Sequence, residues 1–339
     1  MKDKTVRWGL LGAGNILNRW MNGARQPEGM EIAAVASRTR ERAEKMAQCF
    51  NIPEAVSYDE LLERKDIDVV YIPVPHTAHK ELAIRAMEAG KGVLVEKPAG
   101  INSGEFREMT DCARQHHTFL MEAAWTRFFP LIEEIKAQFG ADGIGAPTVL
   151  QMNFSCRNER NVQRLFDPEL GGGGLLDIGV YNLHFCQAVL QKYPARLIGL
   201  ASMDTDGLHL QVDEQAAYIA QYDTGELAMM GSGIRTTLPD TAYLYGPRGS
   251  IEVPHFWKPT TMHVSVAGER RTVKRKVPQR ISGIVDEGYQ YEIEHVNQCI
   301  REGLLESPVM TWADSLAVLE QCDSLRSQWG LVYPKEKKI

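Results

Sequence analysis

In the first third of the chain the hydrophobic positions alternate between two periods. Short apolar runs at Val6–Leu11, Met30–Ala36, Asp68–Ile72, Gly92–Val95 and Thr118–Met121 have the length and composition of buried strands. Helical spacing lies between them. Arg40–Phe50 is charged and amphipathic, and Lys80–Ala89, ended by Gly90, has the apolar spacing of a helix packed on a sheet. Ser57 and Glu60 form a capping-box pair ahead of Leu61-Leu62. Strands alternating with helices predict a doubly wound parallel sheet over residues 1–124.

After Trp125 the pattern changes. A helix over Leu131–Phe139 leads through a glycine-rich turn into Pro147–Phe154, and another helix follows Gly171-Gly172-Gly173-Gly174. Strand-like runs then succeed one another at Glu214–Tyr222, Glu226–Ser232, Thr241–Tyr245, Ser250–Val253, Thr260–Val266 and Thr272–Val277. Asp223-Thr224-Gly225 reads as a hairpin turn between the first two. Strands in succession predict an antiparallel sheet, and helices over Glu287–Arg301 and Trp312–Gln328 close the chain. The fold class is therefore α/β: an N-terminal doubly wound parallel sheet (1–124), then an α+β domain with an antiparallel sheet (125–339).

Composition narrows the function classes. The chain has 339 residues, 44% hydrophobic and 24% charged, with a formal net charge of -6. These are the values of a soluble globular protein able to bury two cores. No basic stripe marks a nucleic-acid partner. No apolar run reaches the length of a membrane span, and no signal-peptide hydrophobic region follows Met1. Six cysteines stand scattered without a Cys-x-x-Cys pair; they predict reduced, structural thiols, a cytoplasmic location and no metal site.

Gly12-Ala13-Gly14 follows the first strand directly and opens a helix, with Asn15 and Ile16 at its start. Glycine permits the tight turn and the close approach of a pyrophosphate, whose charge the helix N-terminus favours. Leu17 replaces the usual third glycine, a position that serves helix–sheet packing. At the end of the second strand, where an NAD site places an acid, the chain has Ser37-Arg38-Thr39-Arg40-Glu41-Arg42. Ser37 removes the carboxylate that repels a 2′-phosphate. Arg38 supplies a planar bidentate cation, with Arg42 one helical turn on. The competing reading is a solvated basic patch, but cations at a helix start oppose the macrodipole unless an anion compensates them. NADP is favoured over NAD.

Glu96-Lys97-Pro98 ends the fourth apolar run with an acid and a base at a sheet's carboxyl edge. In open α/β sheets that edge is where ligands bind. Alone, the tripeptide also fits a solvated strand end. Asp177 and Tyr181 are four residues apart on one predicted helix face, beyond a glycine run that lets backbone or ligand approach closely. A free tyrosine titrates near 10, too high for an efficient base at neutral pH; a nearby ammonium stabilises the phenolate.

With the glycine turn, Ala89-Gly90-Lys91 and Glu96-Lys97-Pro98, the chain resembles the Gfo/Idh/MocA oxidoreductase family along essentially its whole length. Met121-Glu122-Ala123-Ala124-Trp125-Thr126-Arg127-Phe128-Phe129-Pro130 and Gly172-Gly173-Gly174-Leu175-Leu176-Asp177-Ile178-Gly179-Val180-Tyr181 resemble its dimeric dihydrodiol dehydrogenase branch, which also oxidises D-xylose with NADP. The resemblance implies that Lys97 and Tyr181 share the acid–base work and that Asp177 orients the substrate or Lys97. It also implies a Rossmann domain followed by a domain with a large open antiparallel sheet, a substrate wall at Trp125 and Phe154, a nicotinamide-ribose contact for Glu96, a cofactor loop at Pro73, His76 and His79, and a homodimer or higher homo-oligomer through the second domain. His76 stands where many members have asparagine. Arg127 is read either as a cofactor or substrate contact or as a surface ion pair.

The expected activity is NADP-dependent hydride transfer at a hydroxyl-bearing carbon of a sugar, cyclic polyol or trans-dihydrodiol. Two other readings remain open at this level: a non-catalytic NAD(P)-binding regulator or scaffold, and a sugar-processing enzyme that recycles bound nicotinamide without net redox. The substrate itself is not legible.

Overall fold

The structure, a computed structural model, describes residues 4–14, 16–24, 27–203, 211–278 and 287–338. They group into two compact units, 1–125 with 277–316, and 126–276 with 317–339. Residues 126–276 thus separate the two stretches of the first unit.

The first unit contains β1 (Val6–Leu11), α1 (Ile16–Ala24), β2 (Met30–Ala36), α2 (Arg40–Phe50), β3 (Glu54–Val56), α3 (Tyr58–Glu63), β4 (Val69–Ile72), α4 (His79–Glu88), β5 (Gly92–Glu96), α5 (Ser103–His116) and β6 (Leu120–Ala123). The strands order as β3-β2-β1-β4-β5-β6, all parallel. The central strands β4 and β5 are buried on both faces, which accounts for their unbroken apolar runs. The capping box predicted at Ser57 is present: the Glu60 amide donates to Ser57 Oγ at 3.2 Å and the Ser57 amide to Glu60 Oε2 at 2.7 Å.

The second unit carries α6 (Pro130–Ala137), β7 (Val149–Ser155), α7 (Gln163–Phe166), α8 (Val180–Leu190) and seven further strands. These are β8 (Arg196–Met203), β9 (Asp213–Gln221), β10 (Leu227–Gly233), β11 (Thr241–Gly246), β12 (Gly249–Pro254), β13 (Thr261–Val266) and β14 (Glu269–Lys274). Their order is β14-β13-β12-β11-β7-β10-β9-β8. All neighbours are antiparallel except β7 with β10, so the sheet is mixed rather than wholly antiparallel. The last strand lies three residues earlier than Thr272–Val277, because Ala267 and Gly268, both at positive φ, make a tight turn out of β13. The predicted hairpin at Asp223-Thr224-Gly225 joins β9 to β10, with Gly225 at φ +99°.

Two helices end the chain, α9 (Tyr289–Glu302) in the first unit and α10 (Trp312–Trp329), most of which lies in the second. Packing explains why α9 returns. A Cβ on Gly23 of α1 would stand 2.5 Å from Tyr289 Cβ and 2.9 Å from the Gln290 amide nitrogen, so the two helices approach at backbone distance. Trp8 Nε1 donates to Asn297 Oδ1 at 2.8 Å inside the core. In the second unit α10 guards an edge: Gln328 accepts from the Gly199 amide at 3.1 Å and donates to the Leu197 carbonyl at 3.0 Å. These are outer polar groups of the edge strand β8.

Candidate active site

The dinucleotide turn is built by close approach of backbone to backbone. Gly12 sits at φ +140°, and a Cβ there would meet Val74 Cγ1 at 2.7 Å and the Pro73 carbonyl oxygen at 3.1 Å. At Gly14 a Cβ would lie 2.6 Å from that same oxygen. The glycines are thus required by the loop after β4, whatever ligand they also admit. Pro73 is buried against this turn, and Ile16 is half-buried at the start of α1. Asn15, also expected here, lies outside the described residues.

At the end of β2, Ser37 is half-buried while Arg38 and Arg42 are exposed and make no ion pair among the described residues. Arg40, between them, is committed to Glu44 at 3.3 Å and to Glu60 at 3.8 Å. Thr39 stands at the N-cap of α2 without a side-chain cap bond. Two uncommitted guanidiniums beside an uncapped helix N-terminus fit a phosphate. Tyr58 faces Arg38; burial raises its phenol pKa, and Arg38 and Arg85 oppose the rise.

The ends of β4 and β5 form the second cluster. Tyr71 donates its hydroxyl to Glu96 Oε1, and the Lys97 amide donates to Glu96 Oε2 at 3.2 Å. Burial raises the Glu96 pKa while the Lys97 charge opposes the rise. Burial, then the Glu96 charge, keeps the Tyr71 phenol protonated as a donor. Glu292 of α9 is fully buried, neither of its carboxylate oxygens has a hydrogen-bond partner, and burial followed by the Glu96 charge pushes its pKa well up. Glu292 is thus a buried acid acting on the Glu96–Lys97 pair, its protonated form favoured by burial.

His79, expected to face the cofactor, is fully buried instead. Its Nδ1 lies 2.8 Å from the Pro98 carbonyl and its Nε2 2.9 Å from the Val74 carbonyl, so the ring ties the two strand ends together. Burial lowers its pKa to about 4, and the neutral ring donates to one of the two carbonyls. His76, 9% exposed in the turn after β4, meets the His79 ring edge-on at 5.8 Å. Trp125, expected as a substrate wall, is 2% exposed and stacks on Tyr289 at 4.1 Å with planes 5° apart. That face of the indole is already covered.

In the second unit Leu175–Gly179 form one wide, π-type turn that runs into α8. Asp177 and Tyr181 flank its end and take different partners. Arg164 Nη1 donates to Asp177 Oδ1 at 2.6 Å. Tyr181 meets Phe154 edge-on at 5.3 Å and Trp257 at 6.5 Å, and Phe154 stacks on Trp257 at 5.3 Å. Phe154 also packs on a small core of Leu165, Phe166, Ile178 and Ile234. Trp257 is held by its own polar tip, donating from Nε1 to Asp240 Oδ2 at 2.7 Å. Arg127 is nearly buried in the short turn Trp125–Phe128. Among the described residues no group of three or more His, Cys, Asp or Glu side chains has a metal-holding arrangement.

The structure thus groups Gly12, Gly14 and Pro73, then Glu96, Lys97 and His79, then Asp177, Tyr181 and Phe154. Sequence reasoning missed Tyr71, Arg164, Trp257 and Glu292. A polar-tipped aromatic inside the apolar run Val69-Val70-Tyr71-Ile72 is a signal that was available for the first.

A doubly wound sheet of order 3-2-1-4-5-6 with a glycine turn after its first strand defines a dinucleotide-binding protein. Residues 6–124 match the model of an oxidoreductase family with an NAD-binding Rossmann fold, and residues 132–252 match the GFO/IDH/MocA C-terminal domain. The chain belongs to the Gfo/Idh/MocA oxidoreductase family. It is 35% identical to trans-1,2-dihydrobenzene-1,2-diol dehydrogenase of Xenopus tropicalis, over 97% of this chain and 99% of the relative. Among solved structures it is similar to KijD10, a 3-ketoreductase from Actinomadura kijaniata in complex with NADP and TDP-benzene, with a TM-score of 0.83, 23% identity and coverage of 96% and 98%. It is also similar to aldose-aldose oxidoreductase from Caulobacter crescentus, with a TM-score of 0.84, 21% identity and coverage of 96% and 97%.

The burial of His79 makes a signed pH prediction. A base whose pKa falls on folding contributes stability above its unfolded value, and that stability is lost as pH drops through the folded value. Between pH 6.5 and about 4, the unsubstituted protein should lose up to about 3 kcal/mol relative to His79→Gln. Denaturant unfolding across this range checks it, and parallel stability curves would exclude it.

Proposed function

We propose that this protein is an NADP-dependent oxidoreductase that moves a hydride between nicotinamide and a hydroxyl-bearing carbon of a sugar, cyclic polyol or trans-dihydrodiol. The observation that carries the cofactor choice is the uncommitted pair Arg38 and Arg42 beside an uncapped helix. Gly12, Gly14, Asn15 and Ile16 would hold the pyrophosphate, and Ser37, Arg38 and Arg42 the 2′-phosphate. Pro73 and His76 would flank the bound dinucleotide, Glu96 its nicotinamide ribose, and Arg127 cofactor or substrate. When bound, NADP supplies the hydride acceptor or donor. The 35% identity with a dihydrodiol dehydrogenase over nearly the full length supports the diol class, and the name of the aldose-aldose oxidoreductase supports the sugar class.

The chain's own residues are assigned the proton. In the oxidative direction Lys97 and Tyr181 take the hydroxyl proton, and Asp177, held by Arg164, orients the carbinol. Phe154 and Trp257 give Tyr181 a rigid apolar surround suited to carbon faces of a diol or sugar. Six free cysteines fit a reducing cytoplasm. No helix among the described residues is long and apolar enough to cross a membrane.

A second copy of the chain is the occupant we assign to the outer face of the eight-stranded sheet. Leu200 is 81% exposed there, and Ile198, Ile219 and Met229 stand in lateral register across β8, β9 and β10, all exposed. A contiguous apolar stripe of this kind marks an association surface.

Four measurements test these assignments. A spectrophotometric screen of aldoses, inositols and vicinal diols with NADP and NAD should show NADPH formation; product without free NADPH would point to internal recycling instead. Lys97→Met should lower kcat by about 10²–10⁴-fold, and adding Tyr181→Phe should cost little more, since groups sharing one proton lose it once. Fully multiplicative losses would separate their roles. Arg38→Ala should weaken NADP binding by roughly 10–100-fold and NAD binding hardly at all; equal losses would rule out the 2′-phosphate contact. Light scattering should give a dimer mass that falls to monomer in Leu200→Asp, and a monomeric parent protein would remove the sheet-face assignment.

A further inference from the structure

The glycine run before Asp177 has a tenant from within the chain. Asp213, the first residue of β9, is fully buried, and its Oδ2 accepts from the Leu175 amide at 2.6 Å. A Cβ on Gly173 would stand 2.2 Å from Asp213 Oδ1, and one on Gly174 would lie 3.4 Å from Oδ2. Gly173 takes φ +118°, a conformation that side chains rarely adopt. The rest of the run is equally engaged. The Gly172 and Gly173 amides donate to the Asp167 and Leu165 carbonyls at 3.1 and 2.9 Å, and Tyr333 donates its hydroxyl to the Gly172 carbonyl at 2.6 Å.

The next residue acts on the facing loop. Glu214, also fully buried, accepts from Arg160, which lies four residues before Arg164, the partner of Asp177. Two consecutive residues of one strand therefore hold both the helix start that carries Asp177 and Tyr181 and, through Arg160, the segment that leads into α7 with Arg164.

We propose that Asp213 is a positioning residue for hydride transfer: its carboxylate locks the wide turn at Leu175 and so sets where Asp177 and Tyr181 stand. This rests on the assignment of those two residues to the reaction. The groups facing Asp213 are the amides of Leu175 and Gly174, Arg326 of α10 and Tyr333. Arg326 is committed elsewhere, to Glu336 at 2.8 Å and Asp323 at 2.9 Å. Burial raises the Asp213 pKa to about 7 against these donors. In either protonation state a carboxyl oxygen accepts from the Leu175 amide, and the side-chain carbonyl of an asparagine does the same.

Asp213→Ala and Asp213→Asn separate a lock from a filler. In the alanine variant hydrogen exchange at the amides of residues 174–178 should speed up by about tenfold or more. Its kcat should fall by at least roughly tenfold while the NADPH dissociation constant stays unchanged. The asparagine variant should restore both exchange protection and most of kcat. Unchanged exchange at Leu175 in Asp213→Ala, or a kcat loss that asparagine does not rescue, overturns the inference. The exchange measurement uses the protein alone, without substrate. A parent protein inactive on every sugar and diol would sink the dehydrogenase reading, and the lock would still be judged by the amides.

Discussion

A carboxylate withdrawn from water must find its donors among its immediate neighbours, and the candidate residues of each unit are organised around that requirement. At the end of β5, Glu96 takes a phenolic donor from Tyr71 and the amide of Lys97. At the start of β9, Asp213 takes the first amide of the turn into α8 and Glu214 takes Arg160. Each of these acids sits at a strand end, where the ladder no longer uses every amide. The donors they recruit belong to the segments that carry the candidate side chains, so satisfying a buried acid and placing a candidate group become one act.

The lysine at the end of β5 gains its setting from this arrangement. Tyr71 remains a donor because burial and the neighbouring acid keep its proton on. Burial, then the Glu96 charge, pushes the Glu292 pKa well up. The Glu96–Lys97 step is thus backed by a phenol and a second buried acid, with Glu122 a further charge acting on Glu96, and His79 braces the two loops from inside.

Most of the first unit was legible because strand and helix periods differ and the chain keeps them apart: Met30–Ala36 and Arg40–Phe50 begin and end where their patterns do. The catalytic candidates were legible as residue types in a motif. Their surroundings were not. Tyr71 to Glu96 spans 25 positions, Trp8 to Asn297 spans 289, and Gly23 to Tyr289 is a contact without any local signature. The run Gly171–Gly174 read as room for backbone or ligand; it is room for Asp213 and for the carbonyls of Leu165 and Asp167. A glycine announces close approach but not what approaches. The parallel pairing of β7 with β10 was equally hidden, since the residues between them include a helix and two strands of the same sheet.

Gln328 has a consequence for how this protein behaves in company. Its amide consumes the Gly199 N–H and the Leu197 carbonyl, outer polar groups of the eight-stranded sheet's terminal strand β8. An exposed strand edge templates cross-chain pairing, and a side chain laid along it denies incoming backbone its footholds. With Leu200 and Ile198 on that same strand pointing to solvent, an unguarded edge would combine sticky side chains with open hydrogen-bond sites, the recipe for runaway polymerisation. A single glutamine on the last long helix thus splits the two hazards at residues 197–199, occupying hydrogen-bond sites of the edge while the apolar side chains of the face stay exposed.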